Sequence, residues 1–203
     1  MGRVLRPSAF SVVLSLVLGL AIAGSNVLPA AATGSYNRSA AHSYADTWSS
    51  NVSVLRNPAY NSAGNDNDCQ NFVSQVLAAG GYQAHAGFSW DCNGAWWFDG
   101  GNYTQSDSWM NNGCFNTFAS YHGGDFQYIT SQPSTLSEGD FFFMDLDGAG
   151  APTHSRSIVG MGWAVDSGNW AMLIDQHSNE RWHQEWNYLL PGGTPLWSWH
   201  VIW

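Results

Sequence analysis

The chain has 203 residues, 44% of them hydrophobic, 15% aromatic and only 10% charged. That is enough apolar material for one core, and too little length to expect two domains. The formal net charge is −9 and there is no lysine, so the surface repels phosphate backbones and anionic head groups. Nucleic-acid and membrane-surface partners are disfavoured.

The N-terminus has the pattern of a secretory signal peptide. Arg3 and Arg6 precede the apolar run AFSVVLSLVLGLAIA, and VLPAAATGS supplies small residues at a cleavage point. Cleavage is expected after Ala32, with Ala23 as the alternative. The run is too short and too poorly flanked to be a good membrane anchor, so no stable membrane association is expected once it is removed. Loss of residues 1–32 leaves Arg38, Arg56, Arg156 and Arg181 against 15 acids, a formal charge of −11. A soluble, secreted monomer is predicted. Three cysteines remain, Cys69, Cys92 and Cys114; outside the cytoplasm two can pair while the third stays free.

Residues 33–203 are predicted to form a single α+β domain. In YNRSAAHSYADTWSS, Ala41, Tyr44, Ala45 and Trp48 fall at helical spacing, with Asn37 or Ser35 as the cap. The turn-rich stretch NPAYNSAGNDND follows. In DCQNFVSQVLAAGG, Phe72, Val73, Val76 and Leu77 make one apolar helical face, Asp68 is a suitable N-cap, and Gly80-Gly81 closes the helix. Residues 84–125 are an excursion rich in aromatics, glycine and asparagine. It contains one short helix near Trp109 to Tyr121, and both Cys92 and Cys114, whose spacing permits a bridge without requiring one. After Pro133 strands are expected: one from Gly139–Asp140 in SEGDFFFMD, then HSRSIVGMGW, NWAMLIDQH and PLWSWHVIW. Helices first and strands afterwards predict an antiparallel sheet.

Cys69 lies in the first turn of its helix, where unpaired N–H groups and the helix dipole favour a thiolate and can help to hold an oxyanion. A buried structural cysteine or a disulfide partner is the bland alternative. Asp68 would oppose the thiolate if its carboxylate were close. A cysteine nucleophile needs a base and a group to orient that base. His154 begins a strand after the DLDGAGAPT turn, and His177 ends the next strand. Alternation in LIDQH puts Asp175 and His177 on one side and Gln176 on the other. Either could accept the second ring N–H of His154.

The segments YNRSAAHSYADTW, NPAY, NDCQNFVSQ, DLDGAGAPTHSRSIV and DQH, in that order, resemble the amidase-domain family of secreted bacterial proteins. Its pattern pairs a YxRxAAxxYAxxW helix with an NPxY loop, an NDCxNFVSQ helix, a DxDGxxxHSxIV strand and a QH-ending strand. The resemblance covers roughly residues 36–190 and extends to the NlpC-type and CHAP-type cysteine peptidases and amidases of bacterial cell walls, relatives of papain. It implies a papain-like α+β fold, Cys69 as nucleophile and His154 as base. CHAP domains carry an acid and an asparagine two residues apart on the strand corresponding to LIDQH, and NlpC-type enzymes a histidine, so the resemblance puts Asp175 and His177 in the site. With Cys69 catalytic, Cys92 and Cys114 remain as the disulfide pair. The DLDGAGAP turn is richer in glycine and proline than the family pattern and bears on how His154 is presented.

The expected activity is hydrolysis of an amide bond through an acyl-enzyme, with bacterial peptidoglycan as the substrate that the resemblance implies. The alternatives are a non-catalytic secreted module that binds glycan through its aromatics, and a cysteine acyltransferase of transglutaminase type. No cofactor is implied: GxxxxGK[ST], GxGxxG and GxSxG are absent from the sequence. A zinc site of Cys69, His154 and His177 lacks HExxH, CxxC or HxxxH spacing, and Asp145 and Asp147 are expected in a solvated turn rather than a calcium loop. Trp90, Trp96, Trp97 and Trp109 are expected mainly to cover the core, with some rings bordering the cleft.

Overall fold

The computed structural model describes residues 35–60 and 68–203. The predicted signal peptide and residues 61–67, which include Asn67 of the NDCQNFVSQ motif, lie outside the described residues. Helix α1 spans Arg38–Trp48, capped by the side chain of Asn37, which accepts the N–H of Ala40. Ala41 and Ala45 are buried, and Tyr44 and Trp48 pack beside them, as the spacing predicts.

Helix α2 spans Cys69–Ala79, and every residue from Cys69 to Leu77 is buried. Its apolar side (Phe72, Val73, Val76, Leu77) joins the main core. Its polar side is enclosed too, so its groups must be paired. Ser74 Oγ donates to the Trp109 carbonyl (2.9 Å) and accepts from Trp96 Nε1 (3.1 Å). Trp109 Nε1 donates to Asn71 Oδ1 (2.7 Å), and Tyr44 OH donates to Gln75 Oε1 (2.6 Å). The NPAY loop contributes Asn57, whose Nδ2 donates to the same Tyr44 hydroxyl (3.0 Å).

The two glycines closing α2 serve different ends. Gly81 takes a positive φ of 93°, while its N–H bonds the Ala78 carbonyl and that of Tyr82 bonds the Leu77 carbonyl, the paired closure of a Schellman motif. Gly80 is helical, but a Cβ there would lie 2.2 Å from the Tyr36 ring.

The aromatic excursion is the cover of α2. It holds a small hairpin of β1 (Phe98–Asp99) and β2 (Thr104–Gln105), then α3 (Asp107–Met110) and α4 (Asn112–Tyr121). The single helix expected near 109–121 is therefore two. Asn111 breaks it by turning extended, and caps α4 by accepting the Cys114 N–H (2.9 Å). Cys92 and Cys114 form a disulfide across 22 residues, a loop closure that contributes roughly 3 kcal/mol. Trp96 and Trp109 are buried, whereas Trp90 is exposed.

The remaining strands form one antiparallel sheet in the order β3-β8-β4-β5-β6-β7. These are β3 (Phe126–Ile129), β4 (Phe141–Met144), β5 (His154–Trp163), β6 (Trp170–Gln176), β7 (Arg181–Glu185) and β8 (Leu196–Val201). Strand β4 starts one residue later than the GD start predicts, because Asp140 is taken up as an anchor. Its carboxylate meets Arg38 (2.7 Å), His200 (2.7 Å) and the N–H of Val201 (3.0 Å), tying α1 to β8. All four residues of β4 are buried, since the sheet is covered on both faces. Phe141 and Phe143 face the helices, while Phe142 and Met144 join Ile158, Met172 and Ile174 in a second cluster. Strands β3 and β7 are additional to the expected four; the described residues are a mixed α and antiparallel β structure.

Alternation in β6 turns Asp175 and His177 toward the end of α1 and Gln176 toward Arg156 (2.7 Å) on the other face. Asp175 accepts from Ser49 Oγ (2.6 Å) and from the N–H of His183 (2.7 Å). Burial dominates these bonds and raises its carboxyl pKa to about 6. The folded value lies above the unfolded value of about 3.9, so the folded state holds this proton more tightly. The group's contribution is greatest below the unfolded value and declines as pH rises to about 6. Unfolding wild type and Asp175→Asn in denaturant across that range should show the wild type losing up to about 3 kcal/mol relative to the variant. A difference independent of pH would contradict the assignment.

Candidate active site

Cys69 opens α2 and is the free cysteine among the described residues. Its thiol meets three groups: the His154 ring, the Asn112 amide, with Nδ2 donating to Sγ at 3.4 Å, and the backbone of Ser155. Burial alone would raise the thiol pKa. The hydrogen bond and charge of His154, assisted by Asn112 and Ser155, override it and bring the value down to about 7. His154 begins β5, where Met144 of β4 pairs with it. The preceding turn is held by Asp145, whose carboxylate accepts the N–H groups of Gly148 (2.8 Å), Ala149 (3.1 Å) and Gly150 (2.7 Å). This glycine-rich turn is thereby ordered up to Pro152 and Thr153, which flank His154.

The thiol and imidazole line a cavity of about 440 Å³ together with Asn111, Asn112, Pro152 and Thr153. A neighbouring cavity of about 540 Å³ shares Met110 and Asn111 with it and continues past Asp107 to the disulfide. Sequence-predicted Cys69 and His154 are thus brought together, 85 positions apart in the chain.

Asp175 and His177 are placed elsewhere: among the described residues, neither hydrogen-bonds His154. His177 Nε2 donates to the Trp48 carbonyl (2.7 Å), its Nδ1 meets Asp68 Oδ2 (2.7 Å), and its ring stacks on Phe72 at 4.0 Å. With both ring nitrogens engaged, it has no free atom to offer a metal shared with Cys69. Asp68, expected as the N-cap of α2, makes no side-chain cap bond. Its carboxylate instead meets His177, the Arg56 guanidinium (2.6 Å) and Asn71 Nδ2 (2.6 Å), and its N–H donates to Ser178 Oγ (2.9 Å). Arg56 extends the set to Glu180 (2.8 Å). The negative charge beside Cys69 is therefore matched by cationic and amide partners rather than left facing the thiol.

Asn112 is a residue of the candidate site that sequence reasoning missed. Its neighbour Asn111 is spent as the cap of α4, which leaves Asn112 at the first helical position with its amide on the thiol. The NN pair before a helix signals the cap but not the long-range partner. Tyr60 of the NPAY loop packs between Phe98 and Trp109 and does not line the cavity.

The family described as Putative amidase domain matches residues 35–201. The chain belongs to that family. Its description points to amide-bond hydrolysis, and the matched stretch contains every residue of the site. No curated protein and no solved structure matches the chain. For this family member the thiol chemistry is directly measurable. Iodoacetamide alkylation of Cys69 should follow a titration centred near pH 7, and His154→Gln should move the midpoint above about 8. A midpoint unchanged by that substitution would contradict the pairing.

Proposed function

We propose that this protein is an exported cysteine amidase of papain-like architecture that hydrolyses amide bonds in bacterial cell-wall peptidoglycan. The observation that carries the reading is the helix-start thiol, which lines a cleft together with the His154 imidazole and has its pKa lowered by that ring. In the proposed reaction His154 takes the thiol proton and Cys69 Sγ attacks the substrate carbonyl. The tetrahedral oxyanion is held by the N–H of Cys69 at the start of α2 and by Asn112 Nδ2. His154 then gives the proton to the leaving amine, the C–N bond breaks, and a thioester remains on Cys69. Water, deprotonated by His154, attacks the thioester, and the thiol is restored as the acid departs.

In this reading Cys69, His154 and Asn112 touch the reacting atoms. His177 serves from behind as a positioning residue, by fixing Asp68 and hence the first turn of α2. Asp175, through Ser49 and the His183 N–H, braces the end of α1. Export is supported by the N-terminal pattern and the Cys92–Cys114 bridge, and the net negative charge is compatible with it. Among the described residues no helix is long and apolar enough to cross a membrane. The peptidoglycan substrate rests on the likeness to wall-cleaving relatives. The alternative of a glycan-binding module has one observation in its favour, the exposed Phe88 and Trp90 rings stacked at 5.3 Å and 6°; such a platform is also compatible with an enzyme that grips a sugar–peptide polymer.

Digestion of purified peptidoglycan, with product masses, tests the reading and identifies the bond cut. Wild type should release amine and carboxyl ends, and Cys69→Ala should release none. Asn112→Ala should lower kcat by about 100-fold with KM little changed. Equal turnover by wild type and Cys69→Ala would overturn the mechanism. A product carrying an added amine acceptor in place of water would reassign the enzyme as a transferase.

A further inference from the structure

A second group of side chains lies away from the thiol cavity. His42 and Asp46 sit one turn apart on α1, and His183 approaches from β7. His42 Nε2 is 3.1 Å from Asp46 Oδ2, and His183 Nε2 is 2.8 Å from Asp46 Oδ1. The three ligand atoms offered by these residues all lie within 4.8 Å of one another. None of the three residues lines the Cys69 cavity.

Three features distinguish this cluster from an ordinary surface ion pair. The first is its spacing: donors around a tetrahedral ion with bonds of about 2.0–2.1 Å are separated by roughly 3.3 Å, and one ligand atom from each of the three residues already lies within 4.8 Å of the others, the two histidines meeting opposite oxygens of Asp46. The second is the arrangement behind His42. Its Nδ1 meets Glu138 Oε2 at 2.7 Å, the carboxylate–histidine pairing that fixes a ligating imidazole and directs its Nε2 outward. The third is the hold on His183. Its backbone has a φ of 51°, a left-handed conformation unusual for a non-glycine residue, and buried Asp175 bonds its N–H. Its ring lies on Trp182 at 4.0 Å and 11°. Both imidazoles are thus oriented before any ion arrives. The side chains of His42, Asp46 and His183 remain between 21% and 37% exposed, which leaves a path for an ion and room for water as a fourth ligand.

We propose that His42, Asp46 and His183 form a binding site for one divalent transition-metal ion that clips α1 to strand β7. Two imidazoles and a carboxylate suit zinc and its neighbours in the series rather than calcium or magnesium. The ion would be structural, since it ties the end of the sheet to the helix whose last turn carries Trp48 and its contact with His177.

The test uses the full chain with Cys69→Ala, so that the thiol and His154 do not compete for metal. Zinc chloride titrated by calorimetry should show one ion per chain, and saturating zinc should raise the thermal midpoint by several degrees. Cobalt(II) in its place should give the visible absorption of a four-coordinate site with nitrogen ligands. His183→Gln and Asp46→Asn should each weaken zinc by at least tenfold while the circular dichroism of the fold is kept. Should either variant fail to fold, His42→Gln, at a half-exposed helix position, gives the same comparison. No zinc binding by the parent chain, or equal affinity in parent and folded variants, would overturn the proposal.

Discussion

The carboxylate of Asp68 is the constraint around which the rest of the site is arranged. It is fully buried, directly precedes Cys69, and would be costly without partners. His177, Arg56 and Asn71 supply them. Each belongs to a different part of the chain, so satisfying one buried charge fixes the loop before α2, the first turn of α2 and the end of β6 against one another. His177 then passes the connection to the last turn of α1 through the Trp48 carbonyl. The thiol is held in place because the residue before it has no freedom to move.

The second consequence concerns the helix itself. A reactive cysteine at a helix start is useful only if that start is held against the base, and α2 is enclosed on every side. On the sheet side, small residues Ser155 and Ser157 stand in β5 near the helix. On the other side, Trp96 and Trp109 turn their ring N–H groups onto Ser74 and Asn71. The aromatic excursion is therefore the polar and apolar lid of the helix, and its disulfide anchors the lid at the cavity's edge. Asn112 comes from the same lid, so the segment that covers α2 also supplies a donor beside the thiol.

Much of this was legible in the residues. The spacing of Ala41, Tyr44, Ala45 and Trp48 marks α1, and the GG after LAA marks the end of α2, because local backbone requirements decide both. The meeting of Cys69 and His154 in one cavity was legible from their places at a helix start and a strand start together with the family resemblance. Strands β3 and β7 were not: FQYI and RWHQE are short and lack a clean alternation, and their pairing is decided by neighbours far away in the chain. The role of Asp68 was misread for a related reason. At a helix start an aspartate is by default a cap, but the side chains that claim this one arrive from residues 56 and 177. Asp175 and His177 were correctly placed on one side of β6; which atom each would meet depended on where α1 ends, which periodicity does not give. The contact of Asn112 with the thiol and the approach of His183 to the His42–Asp46 pair depend on long-range proximity.

The proposed mechanism requires Cys69 to form a covalent acyl-enzyme with help from His154. Pre-steady-state hydrolysis of an activated ester, p-nitrophenyl acetate, examines that step without requiring the natural substrate. Wild type should give a burst of one nitrophenolate per chain, with an acetyl thioester found on Cys69 by mass spectrometry, and Cys69→Ala should give no burst. A burst that persists in Cys69→Ala, or wild type without either burst or adduct, would contradict it.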